Sequence, residues 1–552
     1  MKKRLLRFLR ASLFPPTIVL FFLLVRYMLG YSPSWAVVRD ALCGFAIAIF
    51  VLKLFNAWGL RIYLGIWALL ALGYGAVGLT YGAVDKNAIV ALMTTNPEEA
   101  REFLVLIPRF VFGFYGAVIV LYALLWWWSG IKRKGFPDKV GTIRRLDPYR
   151  KGRWVAIALG ILVVVNGASV VRALIKNMPG LHIWRINEVV LARDVSRSYF
   201  DIKEDDKQRS IFAKTVHWNV APLKTPVLPE CDTCVLVMGE SVRADFMGAF
   251  GAPWKNTPWM SAQPGIKMTD FLSPGYATVP SLAVELFAPN PKGVAPFGDN
   301  LITLAKKGGF ETAWFSNQKK RSADDSPITV VSTFADHTYF TEDDPTVLRS
   351  DEALLAPIAN YVKEGKTGTK RFIFVHLYGS HPIACNRTGG KYTEWFESEE
   401  LSCYIESIRR TDTLLKNLAE TLNDSPAARN WSILYTSDHG LHFMKTGEGW
   451  VLKHAGELQD SFKVPFFITG SNWKNTTTIS EQRSGRYFSL MVAEWLGLKA
   501  SGPFKAPVCD WYKSEVCEDQ NQVRIGYKEF QPIESLKSYS VTDFIREHPQ
   551  KE

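Results

Sequence analysis

Five apolar segments, each of membrane-spanning length, occupy the first third of this 552-residue chain. They lie at residues 13–29, 35–55, 62–84, 110–129 and 154–171. Crossing the hydrocarbon core of a bilayer as a helix requires about 20 residues, with a range of about 17–25. A cleaved signal peptide is the alternative for the first segment, but no small-residue cleavage site follows it. The sequence therefore predicts a five-helix transmembrane domain over residues 1–175.

Charged residues lie only near the ends of the first two apolar segments. Arg26 is near the end of the first segment. The second has Arg39 and Asp40 toward one end and Lys53 at the other. Long side chains at such positions can reach the membrane surface while their stems stay in the bilayer. We therefore expect both segments to span despite these charges.

The basic residues that flank the segments predict their orientation. Lys53 and Arg61 lie between segments two and three, and the N-terminal tail is basic. Nine lysines and arginines lie within 132–153, whereas the loop at 85–102 is mildly acidic. Loops rich in lysine and arginine remain in the cytoplasm. The N-terminus is thus predicted to be cytoplasmic and the C-terminal domain to lie outside. Because the basic loop at 132–153 explains much of the net charge of +12, we expect no nucleic-acid partner.

The cysteines support an oxidising compartment for the C-terminal domain. One of the seven, Cys43, lies in a predicted span. An even number of closely spaced cysteines outside the membrane indicates disulfides. A redox motif or half a zinc site is the alternative for the Cys-x-x-Cys. The six are Cys231 and Cys234, Cys385 and Cys403, and Cys509 and Cys517.

The outer part of the chain changes pattern near residue 231. Residues 176–230 are predicted to be a membrane-proximal linker with amphipathic helices, and 231–552 a catalytic domain. Short apolar runs at 234–238, 312–316, 372–377, 431–436 and 464–469 alternate with helical patterns such as 301–308, 351–363 and 407–422. This alternation predicts an α/β domain whose largely parallel central sheet is covered by helices.

Four of these five runs end in residues that can do chemistry. Active residues in parallel sheets gather at the carboxyl ends of the strands. Carboxylate and imidazole groups are zinc ligands, although a carboxylate at a helix start is the ordinary alternative for Glu240. The residues after the runs are Glu240, Asn317 and Gln318, His381, and Asp438 and His439.

A loop of small residues at 272–281 supplies a candidate nucleophile. It leads to an apparent helix start at Thr278, and the backbone N–H groups of a helix N-terminus suit a phosphate. Spacing alone leaves both Thr278 and Ser281 open as the nucleophile, and an ordinary helix cap is the alternative for either.

Three motifs together resemble a known family. They are the run VLVMGESVR at 235–243, Gly-x-x-Thr at 275–278 and Ser-Asp-His-Gly at 437–440. They are similar to those of the membrane-anchored phosphoethanolamine transferases of the Gram-negative envelope, which belong to the alkaline phosphatase/sulfatase superfamily. The outer loop at 95–100 also resembles a family Thr-Asn-x-x-Glu pattern, and the likeness covers nearly the whole chain.

The resemblance implies a zinc enzyme of the bacterial inner membrane with a periplasmic catalytic domain. It implies phosphatidylethanolamine as the donor and a phosphoethanolamine–threonine intermediate. The implied acceptor is an osmoregulated periplasmic glucan, ahead of lipopolysaccharide core or lipid A. The implied residue roles are Zn²⁺ ligation by Glu240, Thr278, Asp438 and His439, catalysis by Thr278, His381 and His454, and substrate binding by Asn317, Gln318, Thr95 and Glu99.

Two departures and three rival functions bear on this hypothesis. Lipid A-modifying relatives carry a glutamate where Leu441 stands, and their nucleophile loop more often has a cysteine that is missing before Tyr276. Both differences weaken lipid A as the acceptor. A phosphatase or a phosphoglycerol transferase on the same fold, and a non-catalytic scaffold, are the rivals. A type I sulfatase is disfavoured because no Cys-x-Pro-x-Arg motif occurs.

Overall fold

A computed structural model describes most of the chain, in two compact units, Met1–Glu204 and Asp205–Glu552. Four predicted features fall wholly or largely outside the described residues: the loop that carries Thr95 and Glu99, the basic loop at 132–153, the segment at 154–171 apart from residue 160, and the amphipathic helices of the linker, of which only 191, 195–196 and 216–230 are described. The described residues are 2–84, 107–130, 160, 191, 195–196, 216–290, 297–318, 327–341, 350–446, 449–456, 458–525 and 530–549.

Four long helices form the described part of the first unit. They are α1 (Lys2–Met28), α2 (Trp35–Leu54), α3 (Asn56–Tyr81) and α4 (Arg109–Gly130). Three of them, α2, α3 and α4, are long and apolar enough to cross a membrane. In α1 the apolar stretch is shorter, Leu13–Met28, because the start of the helix is basic. The described residues thus support three spans, and a total of five stays a prediction.

A buried ion pair joins α1 to α2. Arg26 Nη2 lies 3.1 Å from Asp40 Oδ2, and the two side chains are only 2% and 3% exposed. The guanidinium also lies over the Tyr31 ring, 3.4 Å from its centroid. Our expectation that these charges reach the membrane surface is therefore wrong for this pair. Burial removes water from both charged groups, and their mutual attraction compensates for the lost hydration.

The second unit is built on strands. One mixed sheet of nine strands has the order β11-β3-β10-β7-β2-β6-β4-β5, with β12 also paired to β3. Three two-stranded pairs, β1 with β13, β8 with β9 and β14 with β15, complete the described strands. Strand β1 lies within the predicted linker. The strands are β1 (Asn219–Pro222), β2 (Thr233–Gly239), β3 (Gly265–Leu272), β4 (Glu311–Ser316), β5 (His337–Phe340), β6 (Arg371–His376), β7 (Trp431–Ser437), β8 (His442–Lys445), β9 (Trp450–Lys453), β10 (Lys463–Gly470), β11 (Thr476–Ile479), β12 (Arg483–Ser484), β13 (Leu498–Ser501), β14 (Gln522–Arg524) and β15 (Phe530–Pro532).

The sheet departs from the predicted largely parallel arrangement at one strand. Five neighbouring strands, β5, β4, β6, β2 and β7, are parallel, but β10 is antiparallel to both β7 and β3. The cause is the connection. After β7 the chain forms the β8–β9 hairpin without a crossover helix, and a parallel partner would require a crossover. The chain therefore enters β10 at the edge where β7 ends.

Helices cover the sheet, and alternate residues of its strands face two separate cores. In β2, Val235 and Val237 belong to one core and Leu236 and Met238 to the other. The helices are α5 (Pro258–Ala262), α6 (Thr278–Glu285), α7 (Leu301–Lys307), α8 (Pro327–Ser332), α9 (Leu355–Glu364), α10 (Ala384–Thr388), α11 (Glu399–Asn423), α12 (Phe488–Trp495) and α13 (Val541–Glu547). Short 3₁₀ turns lie at Ala244–Phe246, Gly248–Phe250, Asp351–Leu354, Pro426–Ala428, Gln459–Ser461, Gly485–Tyr487 and Ile533–Ser535.

The cysteine pairing is as predicted. The three neighbouring pairs of the second unit are disulfide-bonded, and Cys43 is buried in α2. The pairs are Cys231–Cys234, Cys385–Cys403 and Cys509–Cys517.

The Arg26–Asp40 pair gives a testable prediction for the membrane unit. We expect Asp40→Ala to lower the free energy of unfolding by about 3–5 kcal/mol, because it leaves a buried guanidinium without its counter-charge. The double variant Arg26→Leu/Asp40→Leu should recover most of that loss. Thermal unfolding of the purified full-length protein in detergent measures both. Arg39→Ala is the graded comparison: its Nε lies 3.5 Å from Asp40 Oδ1 and its side chain is partly exposed, so its loss should cost less than that of Asp40. Equal stability of Asp40→Ala and the wild type would contradict the pairing.

Candidate active site

The candidate site lies at one edge of the sheet, where parallel strands end. Glu240 directly follows β2, and Asp438 and His439 directly follow β7. These two strands pair in parallel along their whole length, as do β2 and β6, so their carboxyl ends meet at this edge. Thr278 begins α6 shortly after β3, whose last residue pairs with the first residue of β10. Chain topology therefore brings residues 38 to 197 positions apart into contact.

Glu240 is at the centre of the contacts. Its Oε1 lies 3.2 Å from His439 Nε2, and its Oε2 accepts a hydrogen bond from the Thr278 hydroxyl at 3.1 Å. The same hydroxyl lies 3.4 Å from His439 Nε2. The Ser281 hydroxyl, in contrast, is buried and has no hydrogen-bond partner. Of the two nucleophile candidates, the structure places Thr278 in the cluster.

Asp438 contributes a carboxylate with one bonded and one unbonded oxygen. Its Oδ1 accepts the backbone N–H groups of Ser241 at 3.1 Å and His439 at 2.8 Å. Its Oδ2 lies 3.4 Å from His439 Nε2 and is buried with no hydrogen-bond partner. A buried carboxylate oxygen without a hydrogen bond is costly unless a cation satisfies it. This orphaned oxygen is the observation that fits a metal ion.

His454 lies closer to the cluster than the sequence predicts. Ligand atoms of Glu240, His439 and His454 all lie within 4.8 Å of one another. The rings of His439 and His454 are 4.8 Å apart, and the ring of His381 is 5.9 Å from that of His454. His454 can therefore serve as a metal ligand as well as a catalytic group. His381 stacks on Tyr378 and stands one ring further out.

A second group of candidate ligands does not offer a comparable site. Cys509, Glu515 and Cys517 also bring ligand atoms together. Both cysteines are in a disulfide, so neither can supply the thiolate that binds zinc.

Neighbouring charges shift the pKa values of the acidic and imidazole groups in the cluster. Burial acts to raise the pKa of Glu240, but the hydrogen bond and charge of His439 outweigh it and hold the pKa well below its ordinary value. Burial and the charge of Glu240 raise the pKa of Asp438 to about 8. Burial opposes protonation of His439, yet the charges of Asp438 and Glu240 raise its pKa to about 9. A divalent cation would displace protons from Asp438 and His439, so metal affinity should rise with pH.

The neutral side of the cluster is His454. Burial and the charges of His439 and His381 hold the pKa of His454 well below its ordinary value. An imidazole that stays neutral at physiological pH has a free nitrogen lone pair, which a metal ligand or a base requires.

Of the two predicted substrate-binding residues after β4, only Gln318 touches the cluster. Its Nε2 donates to Glu240 Oε2 at 3.2 Å and to the Leu377 carbonyl at 3.0 Å. Asn317 is buried and uses its amide within the protein. It donates to Asp351 Oδ1 at 2.7 Å and accepts from the Thr341 hydroxyl at 2.8 Å. Asn317 is thus placed to support the loops rather than to face a ligand.

Sequence reasoning missed three residues that shape the site. Ser241 has a left-handed backbone, with φ of 62°, and its hydroxyl donates to Glu240 Oε1 at 2.7 Å. Asp351 accepts the backbone N–H groups of Tyr378 and Gly379, both at 2.8 Å. Glu285 is buried without hydrogen-bond partners, and burial and the Asp438 charge raise its pKa well above the ordinary value. None of the three carries a local sequence signal, because the Ser241 N–H contacts Asp438, Asp351 contacts the 378–379 backbone and Glu285 comes near the Asp438 charge only in the folded chain.

Gly379 shows how closely two loops pack at the site. Its φ is +46°, and a Cβ there would lie 2.9 Å from the Glu240 backbone nitrogen and 3.0 Å from its carbonyl oxygen. Any larger residue at this position would push the His381 loop away from Glu240.

Comparison with known proteins identifies the family. The model of the family described as Sulfatase matches residues 232–498. The phosphoethanolamine transferase OpgE of Escherichia coli strain K12 is 32% identical over 450 residues, covering 80% of this chain and 80% of its own. The chain belongs to the phosphoethanolamine transferase family. It is therefore an enzyme, as the sequence predicts.

One further sequence relative and one solved structure are also similar to the chain. The phosphoethanolamine transferase EptC of E. coli strain K12 is 25% identical over 270 residues, which cover 44% of this chain and 46% of its own. Among solved structures, the integral membrane lipooligosaccharide phosphoethanolamine transferase A (EptA) of Neisseria meningitidis superposes with a TM-score of 0.53 at 15% identity. That match covers 88% of this chain and 96% of EptA. It shows a shared fold.

The cluster predicts which variants of this family member lose metal. We expect Glu240→Ala and His439→Ala to reduce the amount of zinc bound to the protein at least about tenfold, because each variant loses a central metal-ligating side chain. The zinc contents of Asp438→Ala and His454→Ala, measured in parallel, show whether Asp438 or His454 completes the set of metal ligands. Elemental analysis of purified full-length protein is the measurement.

His337→Ala is the matched control for this measurement. His337 is an exposed histidine on β5 of the same sheet, where it stacks on Tyr361. Its zinc content should equal that of the wild type. Unchanged zinc in both Glu240→Ala and His439→Ala would remove these residues from the metal site.

Proposed function

We propose that the protein transfers phosphoethanolamine from phosphatidylethanolamine to a cell-envelope glycan, with Thr278 as the nucleophile and Zn²⁺ as cofactor. The observation that carries this proposal is the position of the Thr278 hydroxyl, 3.1 Å from Glu240 and 3.4 Å from His439. A hydroxyl held between a carboxylate and an imidazole is placed to lose its proton and attack.

The donor set supports zinc in particular. Glu240, Asp438, His439 and Thr278 supply oxygen and nitrogen atoms, the predicted ligand set, and His454 is a further candidate. Zinc prefers such atoms in a compact site and tolerates a change of ligand during reaction. Bound zinc would make the Thr278 hydroxyl more acidic and withdraw charge from the phosphoryl oxygens. The unbonded Oδ2 of Asp438 is consistent with this occupant.

The first half-reaction follows from the contacts of Thr278. Its proton leaves through the hydrogen bond to Glu240, and its Oγ attacks the phosphorus of the donor. The bond from phosphorus to the diacylglycerol oxygen breaks, and we assign His381 to protonate that oxygen. The start of α6 directs backbone N–H groups toward the phosphoryl oxygens. Phosphoethanolamine is then covalently bound to Thr278.

The second half-reaction reverses the roles. An acceptor hydroxyl loses its proton to His381 and attacks the same phosphorus, and the Thr278 oxygen departs and regains its proton from Glu240. His381 therefore acts as the acid of the first step and the base of the second, and covalent catalysis divides the transfer in two. Gln318, bonded to Glu240 Oε2, holds that carboxylate in place and is positioned to contact the donor headgroup. Donor binding by Thr95 and Glu99, which lie outside the described residues, stays a prediction from the family resemblance.

The proposed location is the bacterial inner membrane, with a cytoplasmic N-terminus and a periplasmic catalytic domain. The apolar helices α2, α3 and α4 support a membrane-embedded protein that takes a lipid donor. The basic loops support the orientation. Three disulfides in the second unit support an oxidising compartment.

A periplasmic glucan is the acceptor we favour. Leu441, which stands where lipid A-modifying relatives carry a glutamate, is buried, and its carbonyl accepts a hydrogen bond from Arg243 at 3.1 Å. This position therefore contributes no charge to the site. Lipopolysaccharide core or lipid A is the alternative acceptor.

The nucleophile assignment makes a specific prediction. Full-length enzyme incubated with phosphatidylethanolamine vesicles should carry phosphoethanolamine on Thr278, read by mass spectrometry of its peptide. Thr278→Ala should lower transfer at least about 10³-fold, because no covalent step remains. Thr278→Ser should still be labelled.

Ser281→Ala is the matched control, since this hydroxyl lies on the same helix and has no hydrogen-bond partner. It should transfer at the wild-type rate. Wild-type transfer by Thr278→Ala would contradict the proposal. A phosphoglycerol adduct on Thr278 after a parallel incubation with phosphatidylglycerol vesicles, without labelling by phosphatidylethanolamine, would instead assign a phosphatidylglycerol donor.

A further inference from the structure

Two aromatic side chains project from the loop between α10 and α11. Tyr392 is 38% exposed and Trp395 is 57% exposed, the only two aromatic residues among the exposed large apolar ones described in the second unit. Their ring centroids are 5.9 Å apart, with planes tilted by 55°. Two rings exposed side by side offer a large, rigid contact surface to a ligand. We name the pair with its intervening Glu394 the aromatic platform.

The platform is fixed to the body of the domain. Phe396, the next residue, is buried and packs edge-on against Trp254 with centroids 4.9 Å apart. Glu406 Oε2 accepts both the backbone N–H and the hydroxyl of Thr393, at 3.2 and 2.6 Å. Glu394 pairs with Arg409 at 2.6 Å. The rings are therefore held in position, which reduces the entropy lost when a ligand binds.

The platform connects to both histidine segments of the active site. On one side, the Glu400 carboxylate accepts the backbone N–H groups of Ala384 and Cys385, which follow His381. On the other, Ser398 Oγ donates to the Trp450 carbonyl at 2.5 Å, and the strand that begins at Trp450 leads to His454. The segment that directly follows the platform therefore contacts the chain beside both histidines.

Its chemistry suits a neutral saccharide. The C–H faces of a sugar ring carry slight positive charge and pack against the negative faces of aromatic rings. Carboxylates beside the rings accept hydrogen bonds from sugar hydroxyls. We propose that the aromatic platform binds sugar units of the acceptor glycan at a distance from the hydroxyl that is modified. This inference rests on the proposed glycan acceptor.

The charge of the loop argues against a bilayer as the occupant. Residues 389–400 contain four glutamates and one lysine. Anionic membrane surfaces attract clusters of lysine and arginine. An acidic surface would repel anionic lipids, and it would equally repel the phosphates of lipid A. An uncharged polyhydroxyl ligand meets neither repulsion.

The test compares binding of a neutral glucan oligosaccharide of several units with binding of glucose. We expect Trp395→Ala in the full-length enzyme to weaken oligosaccharide binding about tenfold, the scale of one aromatic contact. Glucose binding should not change. Trp395→Phe should recover part of the loss, and in transfer assays KM for the oligosaccharide should rise more than kcat falls. Val508→Ala, which removes a fully exposed apolar side chain, is the control and should match the wild type.

Two results would overturn the inference. One is unchanged oligosaccharide affinity in both Trp395→Ala and Tyr392→Ala. The other is that these two variants lose binding to phosphatidylethanolamine/phosphatidylglycerol vesicles and keep their glucan affinity, which would make the platform a membrane contact. Labelling of Thr278 in the same samples separates the two proposals. Labelled Thr278 with unchanged glucan affinity refutes the platform alone, whereas unlabelled Thr278 refutes the proposed mechanism and leaves the glucan titration to decide the platform.

Discussion

The buried carboxylate of Glu240 is the interaction on which the site depends. Its two oxygens contact the side chains of Ser241, Thr278, Gln318 and His439, which come from four separate segments. An ionised carboxylate removed from water is strongly unfavourable unless it is paired and hydrogen-bonded. Here one imidazole, two hydroxyls and an amide compensate it. The same arrangement fixes the nucleophile relative to the donor atoms for a cation.

The parts of this structure that follow from local pattern could be predicted. The apolar runs that end at Glu240 and at Asp438 are strands, because continuous β-branched and apolar residues suit a strand buried on both faces. The pairing of neighbouring cysteines and the family assignment are also confirmed. The helix that contains the predicted 407–422 is longer than predicted, since its first turns, from Glu399, are more polar.

Features that depend on distant contacts could not be predicted. The antiparallel direction of β10 depends on the β8–β9 hairpin before it. The apolar run of β10 itself looks like that of any other strand in the sequence. The left-handed backbone of Ser241 has no residue signal, since glycine is the usual choice there. The nearness of His454 to His439 requires that hairpin to fold back over the site. Arg26 and Asp40 look like separate surface charges until their helices pack.

X-ray absorption at the zinc edge, on the full-length protein loaded with one equivalent of zinc, tests the central claim most directly. The arrangement of Glu240, Asp438, His439 and Thr278 requires nitrogen and oxygen neighbours at about 2.0–2.2 Å, with the multiple-scattering signature of imidazole. His439→Ala should weaken that signature. A sulfur shell near about 2.3 Å, or an imidazole signature that His439→Ala leaves unchanged, would contradict the account.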